Sequence, residues 1–201
     1  MNARQPPAAL AIDPGHTGAV AVVGGTTLLT WAAWRKTRRR SEPYDIAADG
    51  WRGGTSPCLS HALRVACVHL RPDVDILGAV CAVEGIEPHG KRAGYTALAE
   101  AAGQAVAVVY GIIGSPLRPR PREWVPATLG VPANQPFASY SLAGWGWGAD
   151  PDAGSSRGAS RYPMGRGVVA CSEPPAWARD HVADAAWMAV WAGVQKTLDR
   201  S

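Results

Sequence analysis

Residues 8–23 restrict the possible folds of this chain more than any other stretch of the sequence. An apolar run from Ala8 to Ile12 ends in Asp13, Pro14-Gly15 follows, and a second apolar run extends to Val23. Short apolar runs bounded by turn residues predict buried strands, and Pro-Gly predicts a turn between them. The sequence therefore predicts paired strands over 8–13 and 18–23. Asp13 then lies where the first strand leaves the core, and a carboxylate there needs a cation or hydrogen-bond donors.

The composition is that of a globular protein with an ordinary core. The chain has 201 residues, of which 47% are hydrophobic and 18% charged, which suits one domain and excludes disorder. No apolar run is long enough to span a bilayer. Residues 1–7 lack the apolar segment of a secretory signal, so we expect a cytoplasmic protein. The four cysteines show no Cys-x-x-Cys spacing and are expected to be reduced thiols.

The order of apolar and polar segments predicts an α/β domain spanning 1–201. The run Ile76–Glu84 follows a helix and is nearly continuous, which favours a parallel strand buried on both faces. Residues 131–175 are rich in Gly, Pro, Ser and Trp and lack periodicity, so we interpret them as a loop-rich insertion. The other predicted elements are a third strand over 26–34, a loop over 41–56, a helix from Ser56-Pro57 to 70 with Ser56 as N-cap, a helix over 95–109, an extended segment or edge strand over 116–121, and helices over 122–129 and 175–198.

Acidic side chains are predicted at the ends of two central strands and on the last helix. Asp13 and Glu84 each end a strand, and His181 and Asp184 are three residues apart, which places them on one helix face. One such carboxylate alone would be structural in most proteins. Together they form the kind of oxygen-rich set that holds Mg²⁺ for phosphodiester hydrolysis. Asp13, Glu84, His181 and Asp184 are therefore the candidate catalytic and metal-binding residues.

Basic residues are clustered, although the net charge is only +4. Clusters of this kind are typical of proteins that bind a polyanion, although each cluster alone could be a solvated loop. The candidate polyanion-binding residues from these clusters are Arg38, Arg39 and Arg40 after the third strand, and Arg118, Arg120 and Arg122 between prolines.

Three motifs resemble those of one nuclease family. They are Ile12-Asp13-Pro14-Gly15 with Thr17-Gly18, Ala82-Val83-Glu84, and His181-Val182-Ala183-Asp184-Ala185-Ala186. With these motifs the chain resembles RuvC-type Holliday junction resolvases of the ribonuclease H-like superfamily, over about residues 8–130 and 176–195. The resemblance implies a ribonuclease H-like fold. We expect a mixed five-stranded sheet with helices on both faces, the first three strands antiparallel, and Asp13 and Glu84 at adjacent strand ends.

The resemblance also implies a function and a metal site. The four metal positions of the family correspond to Asp13, Glu84, His181 and Asp184. The third is more often aspartate, and Asp180 could replace His181. Such enzymes use two Mg²⁺ ions per site, with Mn²⁺ as substitute, and act as homodimers. They resolve four-way DNA junctions by paired symmetric nicks that leave 5′-phosphate and 3′-hydroxyl. The loop after the glutamate approaches DNA in this family, which adds Lys91 and Arg92 as candidates.

Three other functions remain open from the sequence. The first is another ribonuclease H-like nuclease that acts on flaps, RNA or transposon-end DNA, because a fold does not fix its substrate. The second is a catalytically silent junction-binding protein, although all four metal positions are filled. The third is an actin-like ATPase or sugar kinase, whose phosphate loop resembles Asp13-x-Gly15-x-Thr17-Gly18, but no second phosphate loop is present.

Overall fold

A computed structural model describes residues 8–71, 73–74, 76, 78–86, 95–152 and 162–199 of the chain. In this part of the chain seven strands form one mixed sheet in the order β5-β4-β3-β2-β1-β6, and β7 pairs with β3. The first three strands are antiparallel, and β6 is parallel to β1. The predicted α/β class, with the first three strands antiparallel, is confirmed. The strands are β1 (Ala8–Asp13), β2 (Thr17–Gly24), β3 (Thr27–Lys36), β4 (Tyr44–Ala48), β5 (Trp51–Ser56), β6 (Val80–Val83) and β7 (Val168–Val169).

Helices cover both faces of the sheet, as predicted. One hydrophobic cluster joins α1 and α2 to one face, and a second joins α3, α4 and α5 to the other. The longest, α5, is buried against β1, β2 and β6. None of the helices in the described ranges is long and apolar enough to cross a membrane. The helices are α1 (Leu59–Val68), α2 (Tyr95–Ile112), α3 (Pro121–Leu129), α4 (Ala138–Gly144) and α5 (Arg179–Leu198).

The β1–β2 hairpin forms because both apolar runs are buried and because the turn between them packs closely against Trp34. Gly18 lies against the Asp13 carbonyl and the Trp34 ring, and a Cβ at this position would be 2.7 Å from Trp34 Cζ2. The Trp34 indole in turn donates a hydrogen bond of 2.9 Å to the Gly15 carbonyl. The contacts of Gly15 and Gly18 with Trp34 therefore fix the backbone immediately beyond Asp13.

The predicted loop over 41–56 is wrong, because these residues form the β4–β5 hairpin. Tyr44, Ile46 and Ala48 alternate inward along β4, which is the pattern of a half-buried strand. The glycines of β5 and of its turn obscured this alternation in the sequence. The predicted helix start is also wrong: Ser56 is buried at the end of β5, and the N-cap of α1 is Cys58.

The sheet has seven strands instead of five. The predicted strand over 76–84 shortens to β6, and residues 116–121 form no strand but run beside β6 with one bridge between Leu117 and Ala82. The prolines around Leu117 remove donors that a longer ladder would need. The extra strands are β4, β5 and the short β7.

Residues 131–152 and 162–175, from the predicted insertion, contribute to the core. This stretch contains α4 and β7, and Trp145 is 3% exposed. The Trp145 ring lies 4.7 Å from that of Trp187 on α5, and its indole donates to the Ala183 carbonyl. These contacts hold the beginning of α5, where the candidate site residues lie.

Candidate active site

Asp13 and Glu84 lie side by side at one end of the sheet. The parallel register pairs Ile12 with Val83, so the next residue of each strand is one of the two acids. The Glu84 amide donates a hydrogen bond of 3.0 Å to the Ile12 carbonyl, which continues the ladder past the strand end. The predicted adjacency of these two strand ends is confirmed.

The first turns of α5 bring the other two candidate residues to the same place. His181 Nδ1 donates a hydrogen bond of 2.5 Å to Asp13 Oδ2, and both side chains are mostly buried. Asp184 lies one turn further, and its Oδ1 is buried without a hydrogen-bond partner. The neighbouring Asp180 is exposed, so the structure places His181 and not Asp180 against Asp13.

Burial and mutual repulsion act on the carboxylates. Burial raises the pKa of Glu84 well above its usual range, and the charges of Asp13 and Asp184 raise it further. The Trp124 indole opposes this effect, because it donates a hydrogen bond of 3.2 Å to Glu84 Oε1. Burial, followed by the Asp13 charge, raises the pKa of Asp184 to about 8. The protein alone therefore disfavours the ionised forms of Glu84 and Asp184.

His181 compensates one of these charges. Burial alone would lower its pKa, but the hydrogen bond to Asp13 and the charges of Asp13, Asp180 and Asp184 outweigh burial and raise it to about 9. At neutral pH the ring is therefore a cation and a hydrogen-bond donor to Asp13. With these side-chain positions, no three Asp, Glu, His or Cys side chains of the described residues form a ready-made metal-binding group.

Sequence reasoning missed the role of Trp124. This residue on α3 is fully buried, contacts Phe137 edge to face, and holds Glu84 through its indole hydrogen bond. A tryptophan at the end of a proline-rich stretch gives no signal of this contact, because the contact depends on how α3 packs on the sheet.

Two basic segments lie on either side of the carboxylates. Lys36 ends β3, and its amide donates to the His16 carbonyl, so the turn carrying Arg38, Arg39 and Arg40 is at the Asp13 end of the sheet. All three arginines are exposed, and Arg39 forms an ion pair with Asp45.

On the other side, the Gly85 amide donates to the Pro119 carbonyl, which places the second segment beside Glu84. A Cβ on Gly85 would be 2.8 Å from the Arg118 carbonyl, so glycine permits this close approach. Arg118, Arg120 and Arg122 are exposed there. Lys91 and Arg92 lie outside the described residues.

The chain resembles known proteins in structure but not in sequence. No protein-family model and no curated protein matches the sequence. Among solved structures, RuvC of Thermus thermophilus superposes on 94% of this chain and 96% of its own, with a TM-score of 0.43 and 12% sequence identity. The function is therefore argued from the site itself.

Proposed function

We propose that this protein is a divalent-metal-dependent endonuclease that cuts four-way DNA junctions. The observation that carries the proposal is the convergence of three carboxylates from β1, β6 and α5 at one sheet end, with exposed arginines on both sides. Carboxylates that repel one another need a cation, and exposed arginines attract a polyanion. The sequence motifs that carry these carboxylates favour a junction as the polyanion.

The residues present fit Mg²⁺, with Mn²⁺ as a substitute and two ions per site. Asp13, Glu84 and Asp184 supply the hard oxygen donors that Mg²⁺ prefers, and the buried Asp184 Oδ1 has no other partner. When bound, such ions would supply Lewis-acid activation of a phosphoryl oxygen and would lower the pKa of a water molecule. His181, proposed from the sequence as a fourth ligand, contacts the Asp13 carboxylate and orients it.

The remaining residues of the site bind and orient the substrate. The arginines before and after the acidic site would hold the phosphates of a strand laid across the sheet end, so that one phosphodiester faces Asp13 and Glu84. Trp124 holds the Glu84 carboxylate in place through its indole hydrogen bond. The products we propose are a 5′-phosphate and a 3′-hydroxyl, with two symmetric nicks made by a homodimer.

The test is a cleavage assay with matched substrates. Purified protein is given a four-way junction, the corresponding duplex, a flap and an RNA–DNA hybrid, each with Mg²⁺, with Mn²⁺ and with EDTA. We expect paired nicks in the junction with either metal and none with EDTA. Preferred cleavage of the flap or the hybrid would show that the protein is a nuclease with a substrate other than the four-way junction. Junction binding without cleavage under any condition would indicate a silent binding protein.

The variant Asp13→Asn separates catalysis from binding. It keeps the size of the side chain but removes the charge that Mg²⁺ needs, so we expect no detectable cleavage. Junction affinity measured by gel shift should remain within about threefold, because phosphate contacts dominate the affinity for DNA. Full activity of Asp13→Asn would contradict the assignment of the site.

A further inference from the structure

A cavity of about 250 Å³ opens beside the candidate active site, on the face of the sheet that α1 and α2 cover. His16, three residues after Asp13, lines it together with Lys36 at the end of β3 and Tyr44 at the start of β4. His16 Nδ1 and the Tyr44 hydroxyl lie 3.0 Å apart, within hydrogen-bond distance. Because the Lys36 amide donates to the His16 carbonyl, the cavity lies at the Asp13 end of the sheet, with the exposed Lys36 in its lining.

One face of α2 forms the opposite wall. Ala97, Glu100, Ala101 and Gln104 recur at helical spacing and all line the cavity. The two alanines leave room, and the two longer side chains bring acceptor oxygens. Gln104 Oε1 is buried and has no hydrogen-bond partner, an arrangement that is unfavourable unless a ligand donates to it.

From this lining we infer that the cavity binds a single unstacked nucleobase next to the cleaved phosphodiester. The base is one whose Watson–Crick edge has an exocyclic amino group beside an acceptor ring nitrogen, which describes adenine and cytosine but not guanine, where the neighbouring N1 is a donor. The inference rests on the proposed nuclease function for its DNA context. Pro43, Pro57 and Leu59 offer apolar surface to a base. The Gln104 amide can pair with the amino group and ring nitrogen of adenine, and the Glu100 carboxylate accepts from cytosine. Thymine offers no amino group to either oxygen.

The volume and the charges agree with this occupant. Sites for larger organic ligands are about 300–1,000 Å³, so this cavity suits one base more than a larger molecule. Lys36 at its opening provides the cation that the phosphate of the same nucleotide requires. Nucleases that act at branch points meet bases without a complete stack, which lowers the free energy of extracting one. The cavity would thus confer a base preference on cleavage.

The first experiment uses the protein without DNA and without metal. Cys58 lines the cavity and is exposed, so its alkylation by iodoacetamide reports occupancy, with the partly buried Cys171 as internal reference. We expect deoxyadenosine and deoxycytidine monophosphates at millimolar concentration to slow alkylation of Cys58 by at least about threefold, and thymidine monophosphate to have no effect. The filled-cavity variant Ala97→Leu should abolish the protection. Equal protection by all nucleotides, or none, would overturn the inference.

The second experiment uses junctions in which each base next to the nick is replaced in turn. We expect the wild-type protein to cleave junctions with adenine or cytosine at one fixed position about tenfold faster than those with thymine. Gln104→Met has the same size without hydrogen-bonding groups and should lose this preference. Gln195→Met, near the far end of α5, should keep it. A preference unchanged in Gln104→Met would overturn the inference.

The two experiments separate the two proposals. If no junction is cleaved at all, the proposed function fails, while the alkylation result still decides what the cavity binds. If mononucleotides protect Cys58 but cleavage shows no base preference, the cavity binds free nucleotides and the inferred DNA subsite is wrong.

Discussion

At the scale of single residues, the site depends on charges that the protein alone does not fully balance. Asp13 has His181 as a partner and Glu84 has the Trp124 indole, whereas Asp184 Oδ1 has none. The buried Asp184 Oδ1 is therefore free to contact a bound cation. The charge balance and the Trp124 hydrogen bond can each be tested by changing a single side chain.

The charge balance predicts how stability depends on pH. The pKa of Asp184 is raised to about 8 from 3.8, so between these values the folded protein holds a proton that the unfolded chain releases. The pKa of His181 is raised to about 9 from 6.5. The protonated ring therefore stabilises the folded protein, and this stabilisation is also lost as the pH rises from 6.5 through 9. Both effects have the same sign, and stability falls from pH 5 to pH 8.

We expect the free energy of unfolding of metal-free protein to fall by at least about 1.4 kcal/mol over that range, the equivalent of one pKa unit. Urea denaturation at a series of pH values measures it. Asp184→Asn should flatten the profile, and Mg²⁺ should stabilise the wild type more at pH 8 than at pH 5. A wild-type stability that rises with pH would contradict the charge balance described for the site.

The Trp124 hydrogen bond predicts an effect on metal binding. Trp124→Phe removes the hydrogen bond to Glu84 while keeping an aromatic ring, and loss of a group that orients a metal ligand weakens metal binding about tenfold or more. The Mg²⁺ concentration for half-maximal cleavage should rise accordingly. The matched control is Trp31→Phe, which removes the indole hydrogen bond of another buried tryptophan, to the Ser172 carbonyl. If both variants shift the Mg²⁺ requirement equally, Trp124 has only a packing role.

At the scale of elements, the β3–β4 turn and the segment before α3 form the two basic edges of the site. The turn is held by the pairing of Lys36 with Tyr44 and by the ion pair of Arg39 with Asp45. Arg39 is therefore partly neutralised by its own hairpin. Arg38 and Arg40 are exposed beside it.

Removing Arg38 and Arg40 together should weaken binding to junction and duplex alike. Each arginine–phosphate interaction that is removed reduces the slope of log affinity against log salt by about 0.9 on duplex DNA, so we expect a decrease of about 1.8 for the double alanine variant. Arg39→Ala should change the slope less. Arg71→Ala, at a partly exposed arginine paired with Asp73 after α1, serves as the control. Salt-dependent fluorescence anisotropy gives the slopes, and an unchanged slope would show that this turn faces away from DNA.

At the scale of the whole molecule, two symmetric nicks require two active sites. The described part of the chain carries one candidate site, so the activity that we propose calls for a twofold dimer. Leu98 and Tyr110 on α2 are 41% and 67% exposed, whereas Ala102 between them is 1% exposed and belongs to the interior. The exposed apolar part of α2 is therefore our candidate interface.

Charged substitutions on α2 test that interface. We expect the wild type to sediment as a dimer at micromolar concentration, and Leu98→Asp with Tyr110→Asp to sediment as a monomer that still folds, as judged by circular dichroism. Val68→Asp, at another exposed apolar position on α1, should stay dimeric. A dimer that persists in the double variant would place the interface elsewhere.

The sequence by itself determined the central sheet and the identity of the acidic residues. Short apolar runs that end in Asp13 and Glu84 and are bounded by turn residues predict buried strands. A carboxylate is expected where such a strand leaves the core. The helical spacing of His181 and Asp184 likewise depends only on local geometry. Local periodicity carries this information because buried strands and helices each repeat a short pattern.

Only the tertiary structure decided the partners of these residues. The pairing of His181 with Asp13, the contact of Trp124 with Glu84 and the unpartnered Asp184 oxygen join positions far apart in the chain. The β4–β5 hairpin was not predicted because glycines interrupt the alternation of apolar and polar residues. The structure after residue 131 was not predicted because its tryptophans pack against α5 without a periodic sequence pattern. Side-chain packing between distant segments is not encoded in any local repeat, so these contacts follow from the folded chain alone.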